Sequence, residues 1–248
     1  LTAAVSAAAQ QMPDRSFRPM IEDRAYAPGS GPVVCFDEGH GNLHTLNEGF
    51  WPFADLVRRD GYPVRAVTTR LDRQSLAECR ILVIASPGSD IEETDQIRKW
   101  VGDGNSVLLI VGRDSLAGAS DLGPAFGVTF ADTLAQPGTF RSTDRTLRPH
   151  AIVRGRHAKE SVARLTTFVG RAMRVSAAAE PLLVGSDGSV QGAVMSVEMG
   201  RAAFFGDATL FTAQIVGPDR RLVGMNARGA EGNFQFVLNV MHWLSGVI

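Results

Sequence analysis

The chain alternates short, continuous apolar runs with segments of helical periodicity, and this alternation narrows the possible folds more than any other feature. Pro32–Phe36, Pro63–Val67, Ile81–Ala85 and Ser106–Val111 are segments that read as strands, the second broken by Arg65. An apolar run with no polar alternation suits a strand covered on both faces. Between the first two, Leu46, Phe50, Phe53, Ala54 and Val57 recur at helical spacing until Asp60-Gly61. Between the last two, Ile97, Trp100 and Val101 do the same as far as Gly102. Strands separated by helices pair in parallel through crossovers. The expected fold is therefore α/β, a flavodoxin-like, mostly parallel sheet flanked by helices.

Local signals place the helix starts. Thr45 with Glu48, and Asp90 with Glu93, have the spacing of a capping box, in which a side-chain oxygen caps the first turn and the acid reaches back. After Gly112 the pattern loosens. Asp121–Phe126 reads as a short helix and residues 131–160 as loop-rich. Ala163–Val175, Pro181–Gly185, Gln191–Glu198 and Arg201–Phe205 read as strands, with turns at Ser186-Asp187-Gly188 and Met199-Gly200. The C-terminal part is thus expected to be β-rich. Phe234, Val237, Leu238, Met241 and Leu244 mark a closing helix that stops at Gly246. No repeat or linker divides residues 31–248, which read as a single domain after an extended lead-in over residues 1–30.

Composition removes several classes of function. Lys and Arg number 25 against 26 Asp and Glu, for a net charge of −1 with no run of one sign. A nucleic-acid surface or polybasic anchor needs clustered positive charge. No apolar stretch approaches the roughly 18 residues of a transmembrane helix. The opening LTAAVSAAAQ reads as the end of a secretory signal, with an Ala-x-Ala site at Ala7-Ala8-Ala9; a flexible Ala-rich terminus is the alternative. The signal reading implies a periplasmic or secreted protein. Cys35 and Cys79 are too few for a disulfide framework. On adjacent parallel strands they would lie several residues out of register, so both are expected unpaired, with Cys35 as buried packing.

In an open parallel sheet, ligands bind beyond the carboxyl ends of the strands. Four loops fall there. Asp37-Glu38-Gly39-His40-Gly41-Asn42-Leu43-His44 follows the first strand and gathers two carboxylates, two imidazoles and an amide. Its length exceeds the usual βα loop of about 2–6 residues. Two readings stand: Asp37, Glu38, His40, Asn42 and His44 hold a ligand, or Asp and Asn form turns while His44 packs on the helix. Ser86-Pro87-Gly88-Ser89 and Gly112-Arg113-Asp114-Ser115 are the second and third loops. The fourth carries Asp207, either projecting over the same edge as Asp37 or capping the next turn. Asn233 opens the last helix as a ligand group or an N-cap, and His242 lies mid-helix among apolar neighbours. No metal centre is expected, since the loop glycines oppose the helix that would converge His40 and His44. No nucleophile elbow surrounds Ser89 or Ser115, and no phosphate-binding glycine motif follows a strand, so no cofactor is expected.

The segments VVCFDEGHGNLHT, RRDGYPV, ILVIASP and IRKWVGDGNSVLLIV, with GRAAFFGDATLFT and NFQFVLNVMHWLSG near the end, resemble uncharacterised bacterial proteins with a class I glutamine amidotransferase-like fold. The resemblance spans residues 30–246. Trehalose-utilisation-like proteins and gliding-motility transport-associated domains are similar at greater distance. The resemblance implies a flavodoxin-like sheet, often in exported or membrane-associated proteins. It does not imply amidotransferase activity, because the strand SVLLIV runs into Gly112 with no Cys at an elbow and no His-x-Glu pair follows. Two functions are therefore expected to compete. One is a non-catalytic envelope domain that binds a small polar ligand or a protein partner at the strand edge. The other is a hydrolase-type enzyme using Asp37, Glu38 or His40 with Asp207 as acid–base groups.

Overall fold

The structure is a computed structural model and describes residues 11–113 and 116–248. The signal-like Ala7-Ala8-Ala9 site, and Ser115 of the third loop, lie outside the described residues. The chain enters through a short strand β1 (Gln11–Pro13), then forms β2 (Val34–Asp37), α1 (Trp51–Arg59), β3 (Val64–Val67), β4 (Ile81–Ala85), α2 (Thr94–Gly102) and β5 (Ser106–Ile110). Next come α3 (Ala119–Ala125), β6 (Val128–Ala135), β7 (Thr139–Arg141), α4 (Ala151–Arg154), β8 (Arg164–Thr166) and β9 (Gly170–Val175). Last are β10 (Glu180–Val184), β11 (Val190–Val197), β12 (Gly200–Phe205), β13 (Ala213–Val216), β14 (Arg221–Gly224) and α5 (Asn233–Ser245).

The main sheet corrects the expected flavodoxin-like, mostly parallel arrangement. It has nine strands in the order β3-β2-β4-β5-β12-β11-β9-β6, with β10 beside β11. Four of its pairings are parallel, from β3 across to β12, and four are antiparallel. The reason is connection length. β11 and β12 are joined by the tight turn at Glu198-Met199, and β10 and β11 by a turn around Asp187-Gly188. Connections that short can only reverse the chain, since a parallel partner needs a crossover of a dozen or more residues. The stretch 131–160, expected to be loop, also contributes the end of β6, which pairs antiparallel with β9. Two small antiparallel sheets complete the fold, β1-β13-β14 and β7-β8.

Strand pleating sorts the core into two layers. Val34, Phe36, Ile81, Val83, Leu108, Ile110, Ala203 and Phe205 pack on one face with Phe53 and Leu56 of α1 and Phe236 and Val240 of α5. Their neighbours Cys35, Leu82, Ile84, Val107, Leu109 and Phe204 face the other way, against Ile97 and Val101 of α2 and Leu122 of α3. This two-sided burial is why the runs show no polar alternation. Helix α5 ends at Gly246, whose φ of 81° is the left-handed cap conformation glycine supplies without strain.

Cys35 and Cys79 form a disulfide, contrary to the expectation that both are unpaired. The expectation placed Cys79 in line with β4. Instead its N–H closes onto the carbonyl of Leu76, so it ends a turn lying over the sheet face. From there its Cα is 5.7 Å from that of Cys35, within bonding reach.

The segment from Asp14 to Gly31 is strapped to the body. Arg156 donates to the carbonyls of Asp23 and Arg24, and Asp60 accepts from the N–H of Ala25 at 2.9 Å. Asp60 also pairs with His242 Nε2 at 2.7 Å, both side chains buried. His242 is thus a core histidine, as its apolar neighbours suggest.

Candidate functional site

Strand order reverses at β2, which has β3 on one side and β4 on the other, so the loops after β2 and β4 depart in opposite senses. That is the position where an open α/β sheet offers a ligand crevice. Here the chain fills the crevice with its own first loop. The carbonyl of His40 accepts from the N–H groups of Gly88 and Ser89 at 2.9 and 3.1 Å, and Leu43 N–H donates to the carbonyl of Ser86. The loops touch so closely that a Cβ on Gly88 would lie 2.4 Å from the carbonyl oxygen of Gly41, which explains the glycine.

Inside this closure is a chain of polar side chains. Asp37, the last residue of β2, is fully buried. Its Oδ1 accepts from Gly39 N–H at 3.1 Å and faces His40 Nδ1 at 2.9 Å, while Oδ2 accepts from the amide of Asn42 at 3.0 Å. Asn42 in turn accepts from the N–H of His40 and donates to the carbonyl of Ala85. The other imidazole nitrogen of His40 faces Glu93 at 3.3 Å, and Glu93 accepts from Arg70 Nε at 2.7 Å. Burial works against charge on Glu93, but the hydrogen bonds from Arg70 and His40 outweigh it and hold its carboxyl below the usual glutamate range. Both ring nitrogens of His40 face carboxylates, and a neutral imidazole can donate to only one of them. Of the first loop's polar residues, Asp37, His40 and Asn42 are brought together, by hydrogen bonds to one another. Glu93 and Arg70 are additions that sequence reading missed.

The remaining predicted residues lie elsewhere. Glu38 turns away to accept the N–H of Leu46 at 2.8 Å, capping the turn that leads into α1. The Thr45 hydroxyl donates to the Glu48 carboxylate at 3.3 Å instead of capping a helix, and α1 starts only at Trp51 with no side-chain cap, so the expected capping box does not form. His44 packs its ring 5.3 Å from that of Phe50, under Gly49. Asp207 is three strands from Asp37, a separation of roughly 14 Å at about 4.8 Å per strand. Its carboxylate accepts from the N–H groups of Phe168 and Thr209 and so fixes the turn after β12. Full burial pushes its carboxyl up against the pull of those hydrogen bonds. Asn233 exchanges two hydrogen bonds with the backbone of Thr166, at 3.0 and 2.8 Å, and is buried. Asp37 and Asp207 therefore do not share a pocket.

A cleft of about 700 Å³ opens on the outer flank of the first loop. Leu43, His44, Asn47 and Glu48 line one wall, and Met12 and Arg15 the other. Gln214 lies at its base, buried to 2% exposure, with a long contact of 3.5 Å from its amide nitrogen to the carbonyl of Gly49. Nothing in the sequence marked Gln214, because it sits on β13, a strand without a clear apolar pattern. Among the described residues, no group of three or more His, Cys, Asp and Glu side chains is placed to hold a metal ion. No helix there is long and apolar enough to cross a membrane.

No family model matches the chain, and no curated protein matches it. Solved structures do. The mmIFT52 N-terminal domain is similar over 86% of this chain and 97% of its own, with a TM-score of 0.68 and 13% identity. A cytoplasmic protein from Salmonella typhimurium is similar over 86% and 99%, with a TM-score of 0.58 and 13% identity. A protein described as ThuA-like, from Bacteroides uniformis, is similar over 88% and 93%, with a TM-score of 0.51 and 11% identity. At these identities the likeness is one of fold alone. It agrees with the amidotransferase-like resemblance at that coarse level.

Proposed function

We propose that the protein is a non-catalytic binding domain that holds a small polar ligand in the cleft beside its first loop. The observation that carries this reading is the cleft itself. It is of ordinary ligand-site size and combines Leu43 and Met12 with the polar groups of His44, Glu48 and Gln214. The chain Asp37–His40–Glu93–Arg70 serves the site by fixing the loop that forms its wall. The acid–base alternative asks Asp37 or His40 to meet a substrate. Both oxygens of Asp37 already accept hydrogen bonds from their own loop, and Asp207 is engaged elsewhere. Those occupied partners favour binding over hydrolysis. Export to an oxidising compartment belongs to the same proposal, supported by the Cys35–Cys79 bond.

The test is a thermal-shift screen of polar metabolites with the wild-type chain, repeated with His44→Ala and Gln214→Leu. A ligand at a hundred times its Kd stabilises the native state by about 2.7 kcal/mol, a readable shift. The reading expects shifts that both variants abolish. Shifts indifferent to both variants, or turnover of a hit compound, would count against it.

A further inference from the structure

The antiparallel half of the molecule carries a second concavity, remote from the first loop. A groove of about 590 Å³ runs between the β6–β7 segment and the turn joining β10 to β11. At its floor is Gln191 on β11, more than nine-tenths buried. The hydroxyl of Thr167 donates to Gln191 Oε1 at 3.1 Å, which fixes the amide plane. Its NH₂ group has no protein partner among the described residues and opens on the groove. That nitrogen is not sealed off, so its two N–H donors are available to water or to a ligand that enters the groove.

The rim has a matching organisation. Asp187 uses one carboxylate oxygen to hold the N–H and hydroxyl of Ser189, at 3.0 and 2.7 Å. Asp144 does the same for Thr146, at 3.0 and 2.6 Å. In each pair the serine or threonine side chain, foremost, holds the carboxyl below the usual aspartate range, so each keeps its second oxygen as a charged acceptor. Arg141 adds donors on the same rim. A ligand here must donate to Asp144 and Asp187 while accepting from Gln191 and Arg141. Two carboxylates against one guanidinium disfavour an anion. Phe140 is almost wholly covered, and Leu134 is the large apolar side chain of the lining with open surface, so the groove is mainly polar. Hydroxyl groups donate and accept at once, and satisfy both sets.

We propose that this groove is a second binding site, for a neutral polyhydroxylated ligand of the short-saccharide class, with Gln191 as its central hydrogen-bond donor. The site is independent of the cleft beside the first loop, and its failure would leave that reading untouched.

The experiment is NMR titration of the ¹⁵N-labelled chain with maltotriose, cellotriose and chitotriose in turn. Inorganic phosphate and trialanine are the comparators. At least one trisaccharide should move the side-chain NH₂ resonances of Gln191 together with the backbone amides of Thr146 and Ser189. Gln191→Met should weaken that binding at least about tenfold, and His44→Ala should leave it unchanged. Should Gln191→Met fail to fold, Asp187→Asn on the exposed turn serves instead, since it keeps the contact to Ser189 and loses the charged acceptor. The proposal is overturned if no trisaccharide moves these resonances, if only phosphate or trialanine does, or if the shifts survive the groove variants.

Discussion

At Glu93, burial and hydrogen bonding pull in opposite directions, and the balance makes a measurable prediction. Its carboxyl is held below the usual glutamate range by Arg70 and His40. A depressed folded-state value stabilises the protein above the unfolded value, about 4.5, and that stabilisation is lost as pH falls through the folded value. The wild-type melting temperature should therefore drop in this acid window more steeply than that of Glu93→Gln, whose uncharged amide has no such dependence. Parallel curves for the two proteins would remove Glu93 from the network. Asp207 makes the opposite kind of case. Two backbone N–H groups, of Phe168 and Thr209, converge on its carboxylate, one on each oxygen. In Asp207→Asn one oxygen becomes an NH₂ facing a donor, so stability should fall by about 1–3 kcal/mol in chemical denaturation. Ligand affinity of the folded fraction should not change, and a selective loss of binding would restore Asp207 to a functional site. The first loop was legible as a polar cluster because its residues are contiguous, but the departure of Glu38 from it to the N–H of Leu46 was not. Nor was Glu93, because its spacing from Asp90 suggested a capping box, whereas α2 has no side-chain cap and the Glu93 carboxylate turns to His40 and Arg70. The partner it meets, His40, is 53 positions away. Sequence spacing reports local competition among side chains and is silent on contacts that the fold creates.

Between elements, the loops after β2 and β4 act as one piece, and the glycines at their contact show how little room separates them. A methyl group on Gly88 would meet the backbone oxygen of Gly41 at 2.4 Å, and backbone cannot move aside as a flexible side chain can. Gly88→Ala should cost about 1–3 kcal/mol, the usual range for overpacking, and should lower affinity in the cleft by displacing Leu43 and His44. Measured together, urea midpoints and ligand titration separate the two effects. An unchanged midpoint would mean that the loops are not joined as described. The strands β2, β4 and β5 were legible nearly to the residue, since burial on both faces leaves an uninterrupted apolar run, and the edge strand β3 was placed despite Arg65. Strands β1, β13 and β14 were not. Gln11–Pro13 and Arg221–Gly224 lie at the edges of a small sheet, where one face and one edge meet water and few apolar residues are required. The same holds for β6, whose outer half is largely exposed. Edge strands carry little of the pattern that betrays a central one. The antiparallel character of half the main sheet was therefore hidden, although the turn at Met199-Gly200 that imposes it was recognised.

For the molecule as a whole, the Cys35–Cys79 bond ties the sheet face to the turn that precedes β4, and it bears on both stability and compartment. The two residues are 44 apart in sequence. In the chain-entropy account, closing a loop of that length in the unfolded state stabilises the fold by about 4 kcal/mol. Cys35 is fully buried and Cys79 nearly so, so the bond lies under the covering turn. Replacing Cys35 by Ser would both cut the cross-link and leave a hydroxyl in an apolar layer. Cys79→Ser would cut the cross-link at a less enclosed position. Both variants should shift the urea midpoint downward, Cys35→Ser by more, and a reductant should bring the wild type toward Cys79→Ser. Neither should abolish ligand binding by the folded fraction, because neither cysteine lines the cleft beside the first loop. Intact mass and thiol counting on protein made in an oxidising and in a reducing compartment complete the test. If the chain is an exported one, the oxidised material should carry no free thiol and unfold later in urea than the reduced. Equal midpoints for oxidised and reduced protein would show that the bond, though formed, contributes nothing to holding the sheet and its crossover together.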